Sequence, residues 1–221
     1  MSKYVTSDIH GCYEKFLKLL ELIQFSEDDE LYIIGDIFDR GPDPLKILDY
    51  ILEHKNIILL KGNHEQMFEE AFETGDYSLW NCNGGLITSA ALIKGGLDKE
   101  QQIYHYVRRL QVIKVIDKFI LVHAGMFFAD NYETLELKEF LEQQCGDYCL
   151  WARDNIGCEE QYKDYTVICG HTPVQSILDD STDPKILKRH GTIYIDCGCC
   201  FEEANGKLAC LRLDDMQEFY V

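Results

Sequence analysis

The chain has 221 residues, with 21 Lys and Arg against 39 Asp and Glu, a formal charge of −18 at pH 7. That length suits one domain with a sizeable core, and 46% hydrophobic and 12% aromatic residues exclude a disordered acidic tail. An acidic surface repels nucleic-acid backbones and anionic membranes, so neither is an expected partner and any phosphate chemistry must be local.

The longest apolar run, Phe119 to Ala129, is interrupted by His123 and falls short of the ~18 to 20 residues that span a bilayer. Met1-Ser2-Lys3-Tyr4 lacks the charged and apolar regions of a secretory signal. A cytoplasmic location is therefore expected, and the ten cysteines read as reduced thiols. The cluster Cys197-Gly198-Cys199-Cys200 raises a zinc alternative, for which Cys145 and Cys149 are only a loose second ligand pair.

In chain order, Tyr4-Val5-Thr6 predicts a strand and Tyr13 to Gln24 a helix, with Phe16, Leu17, Leu20 and Ile23 at helical spacing. Leu31 to Ile34 predicts a second strand, and Pro44 to Glu53 a helix with proline near its first turn. Ile57 to Leu60 is a third strand and Glu65 to Glu73 a third helix. Near-continuous apolar strands alternating with helices indicate an α/β fold, at the border with α+β, whose sheet is covered on both faces. Residues from about Gly75 to Leu110 show no clear strand and read as a mostly helical insertion. Strand signals return at Ile113–Ile116, Phe119–Val122, Val167–Cys169, Thr192–Ile195 and Leu208–Leu213 without long helices between them. They predict a second, more antiparallel sheet packed on the first, the whole forming a single domain over 1–221.

Each apolar strand runs into a short glycine-containing turn rich in metal-type donors. These turns are Asp8-Ile9-His10-Gly11, Gly35-Asp36-Ile37-Phe38-Asp39-Arg40-Gly41, Gly62-Asn63-His64-Glu65, His123-Ala124-Gly125 and Gly170-His171-Thr172-Pro173. One Asp or Asn after a strand is ordinarily a cap or turn former, and one His a hydrogen-bonded structural residue. Five such loops together point instead to one crevice at the carboxyl ends of the strands. Mixed oxygen and imidazole donors suit manganese, iron or zinc better than calcium or magnesium.

In this order the motifs resemble the phosphoprotein phosphatase family of calcineurin-like metallophosphoesterases, bacterial and phage members in particular, from Asp8 to beyond His171. The resemblance implies a β-sandwich flanked by helices, with a dimetal site at the strand ends. Asp8, His10 and Asp36 would bind the first ion; Asp36 would bridge to a second held by Asn63, His123 and His171. Two divalent ions, manganese or alternatively iron or zinc, would generate a bridging hydroxide that attacks phosphorus directly. His64 would be the general acid and Asp39 would orient it, while Arg40 and the Arg153 of Trp151-Ala152-Arg153 would grip phosphoryl oxygens. Trp80 to Gly85 also resembles a family segment and is expected at the rim of the cleft, with no chemistry assigned. His54, His105 and His190 match no motif.

The function so implied is hydrolysis of serine or threonine phosphate monoesters on a phosphorylated protein or peptide, with no obligate protein partner. The alternatives are a symmetrical dinucleoside polyphosphate hydrolase, which commonly carries Asn-Arg-Gly in place of Asp39-Arg40-Gly41, and a broad-specificity phosphomonoesterase. A catalytically silent binding module would be expected to have lost ligands, and all the positions are filled here. The charge of −18 adds a condition: the cleft becomes positive only when two cations offset Asp8 and Asp36, so phosphate affinity should depend on metal.

Overall fold

A computed structural model describes residues 1–221. The first third alternates β1 (Lys3–Thr6), α1 (Tyr13–Leu22), β2 (Glu30–Ile33), α2 (Pro44–Glu53), β3 (Ile57–Leu59) and α3 (Asn63–Thr74). Helix α1 buries Phe16, Leu19 and Leu20, and α2 buries Pro44, Ile47, Leu48 and Ile51, the spacing that puts one stripe on the sheet. Each fully buried Leu, Ile or Phe of this kind contributes roughly 1.5 to 3 kcal/mol. Helix α3 begins one turn earlier than its apolar pattern, at Asn63, because Glu65 turns back to accept the Gly62 N–H at 2.8 Å; it ends at Gly75 in the left-handed region.

Strands β1, β2 and β3 pair in parallel, with Val5 opposite Tyr32 and Ile33 opposite Leu59. Their two faces meet different cores. Tyr4, Leu31, Ile33, Ile57 and Leu59 pack under the helices, whereas Val5, Tyr32, Ile34 and Leu60 pack against a second sheet. Burial on both faces is why these strands read as continuous apolar runs.

The middle of the chain forms α4 (Ser78–Trp80), a π-helical turn over Asn81–Gly85, α5 (Leu86–Gly95) and α6 (Leu97–Val107). Trp80, Leu92, Ile103, Tyr104 and Val107 anchor it to the first core. The remainder comprises β4 (Ile113–Ile116), β5 (Phe119–Val122), α7 (Leu137–Glu142), α8 (Gly146–Trp151), β6 (Thr166–Cys169), α9 (Val174–Leu178), β7 (Leu187–Arg189), β8 (Thr192–Tyr194), β9 (Ala209–Arg212) and β10 (Glu218–Tyr220).

Both sheets are five-stranded and mixed, in the orders β10-β9-β1-β2-β3 and β4-β5-β6-β8-β7. Two expectations are corrected. The second sheet has a parallel centre, β5-β6-β8, with antiparallel edges; its crossovers run through α7, α8 and α9, each too short to leave a periodic signature. Strand β9 belongs to the first sheet, antiparallel to β1 with Leu211 opposite Val5, since its apolar side completes the inter-sheet core. No helix is long and apolar enough to cross a membrane.

Candidate active site

The loops leaving β1, β2, β3, β5 and β6 converge, bringing Asp8, His10, Asp36, Asp39, Asn63, His64, His123 and His171 together as buried polar residues. Burying so many polar groups requires a tight backbone scaffold. The His10 N–H donates to the Asp36 carbonyl at 2.9 Å and the Gly170 N–H to the His123 carbonyl at 2.8 Å, lacing neighbouring loops together. Asp8, His10, Asp36, Asp39, Arg40 and His171 all adopt positive φ, a conformation costly for non-glycine residues that concentrates at functional sites. Gly62 and Gly170 are needed for close approach: a Cβ at Gly62 would strike Asp36 Oδ1, and one at Gly170 would strike Asp8 Oδ2 and Ser7 Oγ.

Two donor clusters share Asp36: His10 with His64, and His123 with His171, the donor atoms of each group lying within 4.8 Å of one another. Asp36 Oδ2 stands 3.6 Å from His10 Nε2 and 3.4 Å from His123 Nε2. Asp8 Oδ1 lies 4.0 Å from His10 Nε2, while Asp8 Oδ2 accepts the Ser7 hydroxyl and the His171 N–H. Asn63 Oδ1 is 2.9 Å from His123 Nε2 and 3.0 Å from His171 Nδ1.

The imidazoles are oriented by carbonyls behind them. His10 Nδ1–H donates to Phe38 O and His123 Nδ1–H to Ile34 O, both at 2.8 Å, so each Nε2 faces the cluster. Ligand histidines are held in the same way, by a second hydrogen bond that sets the tautomer. Burial keeps His10 well below the ordinary imidazole pKa, and burial with the nearby His123 lowers His171 to about 3, so both rings are neutral and able to coordinate. Burial would raise Asp36, but the imidazoles, His123 foremost, hold it well below the usual carboxylate range. His123 behaves oppositely: against burial, Asp36 pushes it up to about 10, so without cations this centre retains a proton. An anionic carboxylate flanked by the neutral rings of His10 and His171, by His123, whose proton cations would displace, and by the Asn63 amide oxygen fits two divalent cations, and the Arg40 guanidinium lies with Nη1 2.6 Å from His10 Nε2.

Next to this centre, His64 Nδ1–H donates to Asp39 Oδ2 at 2.6 Å, and His64 Nε2 lies 3.0 Å from Arg40 Nη2. Burial opposes charging the His64 ring, yet the carboxylates of Asp36 and Asp39 outweigh it and raise the pKa. Arg153 lies exposed on the His171 side, its Nε donating to Thr172 Oγ1 at 3.4 Å; it pairs with Thr172 and not with Asp154. Thus all ten residues singled out in the sequence gather around one cleft, with Arg153 at its edge. His105 and His190 are exposed, and His54 stacks on Tyr50. Cys197 and Cys199 are buried free thiols, and neither donor cluster contains a cysteine.

Three participants escape sequence reasoning. Glu65 is fully buried and accepts the N–H groups of Asp36, Ile37 and Gly62 at 2.8, 3.0 and 2.8 Å, tying the β2 loop to the β3 loop. Trp80 Nε1–H donates to Asp39 Oδ2 at 2.8 Å, and Thr88 Oγ–H donates to Asp39 Oδ1 at 2.6 Å. Trp80 is therefore not at the rim but inside, 1% exposed. A buried indole N–H needs an acceptor, and that requirement was the one available signal.

Residues 1–205 match the calcineurin-like phosphoesterase family, and the chain belongs to it. It is 39% identical over 223 aligned residues to serine/threonine-protein phosphatase 1 of Salmonella typhimurium, covering 95% of this chain and 91% of that protein. It is 24% identical over 198 residues to a symmetrical bis(5'-nucleosyl)-tetraphosphatase of Nitrosospira multiformis, covering 86% and 68%. Its fold is similar to that of a metallophosphoesterase from Sphaerobacter thermophilus, with a TM-score of 0.57 at 16% identity over 100% of this chain and 88% of the other. The chain is thus a metallophosphoesterase, of a family that uses a dimetal site.

Proposed function

We propose that this metallophosphoesterase hydrolyses phosphate monoesters on serine or threonine of phosphorylated proteins or peptides. The observation that carries this reading is the buried Asp39–His64 pair, 2.6 Å apart, with Arg40 beside it. An alkoxide is a poor leaving group and needs a proton as the P–O bond breaks, whereas a nucleotide phosphate leaves readily without one. The near full-length similarity to a serine/threonine-protein phosphatase supports the same substrate class.

Asp8, His10 and Asp36 would hold one cation, with Asp8 Oδ1 4.0 Å from His10 Nε2, and Asp36, Asn63, His123 and His171 the other, with manganese the ion proposed and iron or zinc the alternatives. When bound, the pair supplies Lewis acidity, neutralising phosphoryl oxygens and acidifying water near neutral pH. The remaining work falls to the protein. Arg40 offers a planar fork of donors to two phosphoryl oxygens, and Arg153, beside Thr172, would add a second guanidinium. His64, its Nδ1–H committed to Asp39, presents Nε2 to the leaving oxygen and transfers the proton there. The strained loops hold these groups in place before substrate arrives, so little reorganisation remains at the moment of reaction.

The similarity to a symmetrical tetraphosphatase favours a second reading, cleavage of a dinucleoside polyphosphate. Initial rates of the manganese-loaded protein on phosphoserine and phosphothreonine peptides, a phosphotyrosine peptide and diadenosine tetraphosphate separate the two. Efficient turnover of the first pair is expected; efficient turnover of the dinucleotide alone would overturn the proposal.

A further inference from the structure

We propose that Trp80 and Thr88, carried by the helical insertion, are positioning residues that lock the Asp39 carboxylate and thereby aim the His64 ring at the leaving oxygen. This inference rests on the proposed role of His64 as proton donor. Asp39 is fully buried at positive φ, and His64 takes only part of its hydrogen-bonding capacity. The insertion takes the rest. Thr88 binds twice, donating to Asp39 Oδ1 at 2.6 Å and accepting the Asp39 N–H at 3.0 Å, which closes a ring over both backbone and side chain. Trp80 Nε1–H meets the same oxygen, Oδ2, that accepts His64. With three side-chain donors on its two oxygens, the carboxylate cannot rotate without abandoning one of them.

Trp80 is itself immobilised. Gly85 packs on the face of the indole so closely that a Cβ there would collide with it, and Phe68 contacts its ring edge-to-face with centroids 5.3 Å apart. Phe68 lies on α3 one turn beyond His64, so a single indole braces both partners of the pair, Asp39 by a hydrogen bond and the His64 helix by packing. The same segment holds the next residue: the Arg40 N–H donates to Gly84 O at 3.3 Å, and the Arg40 side chain crosses Gly84 where no Cβ is present. The insertion is thereby built into the proton-donating machinery and is not merely a wall of the cleft.

The test uses the metal-loaded full-length enzyme with Trp80→Phe, which keeps the bulk but not the donor, Thr88→Val, which keeps the shape but not the hydroxyl, and Thr88→Ser, which restores the hydroxyl. kcat and KM are measured on a phosphoserine peptide and on p-nitrophenyl phosphate, whose leaving group departs without a proton. Trp80→Phe and Thr88→Val should each lower kcat on the peptide about tenfold or more with KM nearly unchanged, lose several-fold less on the aryl ester, and retain two metals; Thr88→Ser should stay near wild type. His64→Asn is the reference. Equal loss on both substrates in His64→Asn would refute the proton-donor role itself. Selective loss in His64→Asn combined with equal loss or none in Trp80→Phe and Thr88→Val would overturn the positioning role alone. Should Trp80→Phe melt early, the Thr88 pair carries the test, and a Thr88→Ser enzyme as impaired as Thr88→Val would overturn the inference.

Discussion

Asp36→Asn removes the one group shared by both donor clusters while preserving shape, since an amide oxygen can still accept the His64 N–H that Asp36 Oδ1 accepts at 3.0 Å. The rise of the His123 pKa from 6.5 to about 10, against burial, is equivalent to about 5 kcal/mol of preference for the protonated ring, with Asp36 its largest source. With an amide at position 36, burial reasserts itself and the metal-free variant should show a His123 pKa clearly lower than that of the wild type, measured by NMR titration of the ring. The linkage has a definite sign. Because the folded pKa is raised, the stability this proton contributes to the metal-free protein is complete below pH 6.5 and is lost as pH rises through about 10. Thermal melts across that window should slope downward for the wild type and flatten for Asp36→Asn. Metal content by elemental analysis should fall below two ions, since the ion held by Asn63, His123 and His171 would lose its only carboxylate while the ion beside Asp8 and His10 would keep one. A variant that binds two ions with unchanged affinity, or whose His123 still titrates near pH 10, would refute the shared-carboxylate argument.

Arg40→Ala should weaken competitive inhibition by inorganic phosphate about tenfold or more, and Arg40→Lys should recover little because a point charge lacks the planar fork; Arg153→Ala should cost less, since Arg153 bonds to Thr172 whereas Arg40 reaches His10 and His64. Gly170→Ala places a methyl against Asp8 Oδ2 and Ser7 Oγ, so manganese affinity by calorimetry should fall about tenfold or more. Phosphate binding itself should require metal: calorimetry should detect none with the chelator-stripped protein, whose net charge is −18, and restore it on adding manganese.

Much of the site was legible because its residues sit at fixed offsets from strands whose apolar character is unmistakable. Ile33-Ile34 announces a buried strand, and Gly35-Asp36 then has to lie at its end, where α/β topology gathers ligands. The pairing of β9 with β1 was not legible, because Ala209-Cys210-Leu211 would satisfy either sheet and only the inter-sheet core chooses between them. The edge strands β7 and β10, each three residues long, are too short to show a period, and Lys188 and Arg189 in β7 are exposed as edge positions allow.

The sequence by itself determined the order of strands and helices in the first third, the set of donor residues from Asp8 to His171 that the fold gathers, and the adjacency of Asp39 to Arg40. These properties are local: an apolar period, a glycine turn and a donor at a set distance along the chain. Only the tertiary structure decided that Glu65 ties two loops together, that Asp36 stands between two imidazole clusters, and that Trp80 and Thr88 close on Asp39 from across the fold. Those contacts join residues 28 to 49 positions apart, or link separate motifs, and no periodicity records them. They arise because a buried carboxylate must find donors wherever the packed chain supplies them.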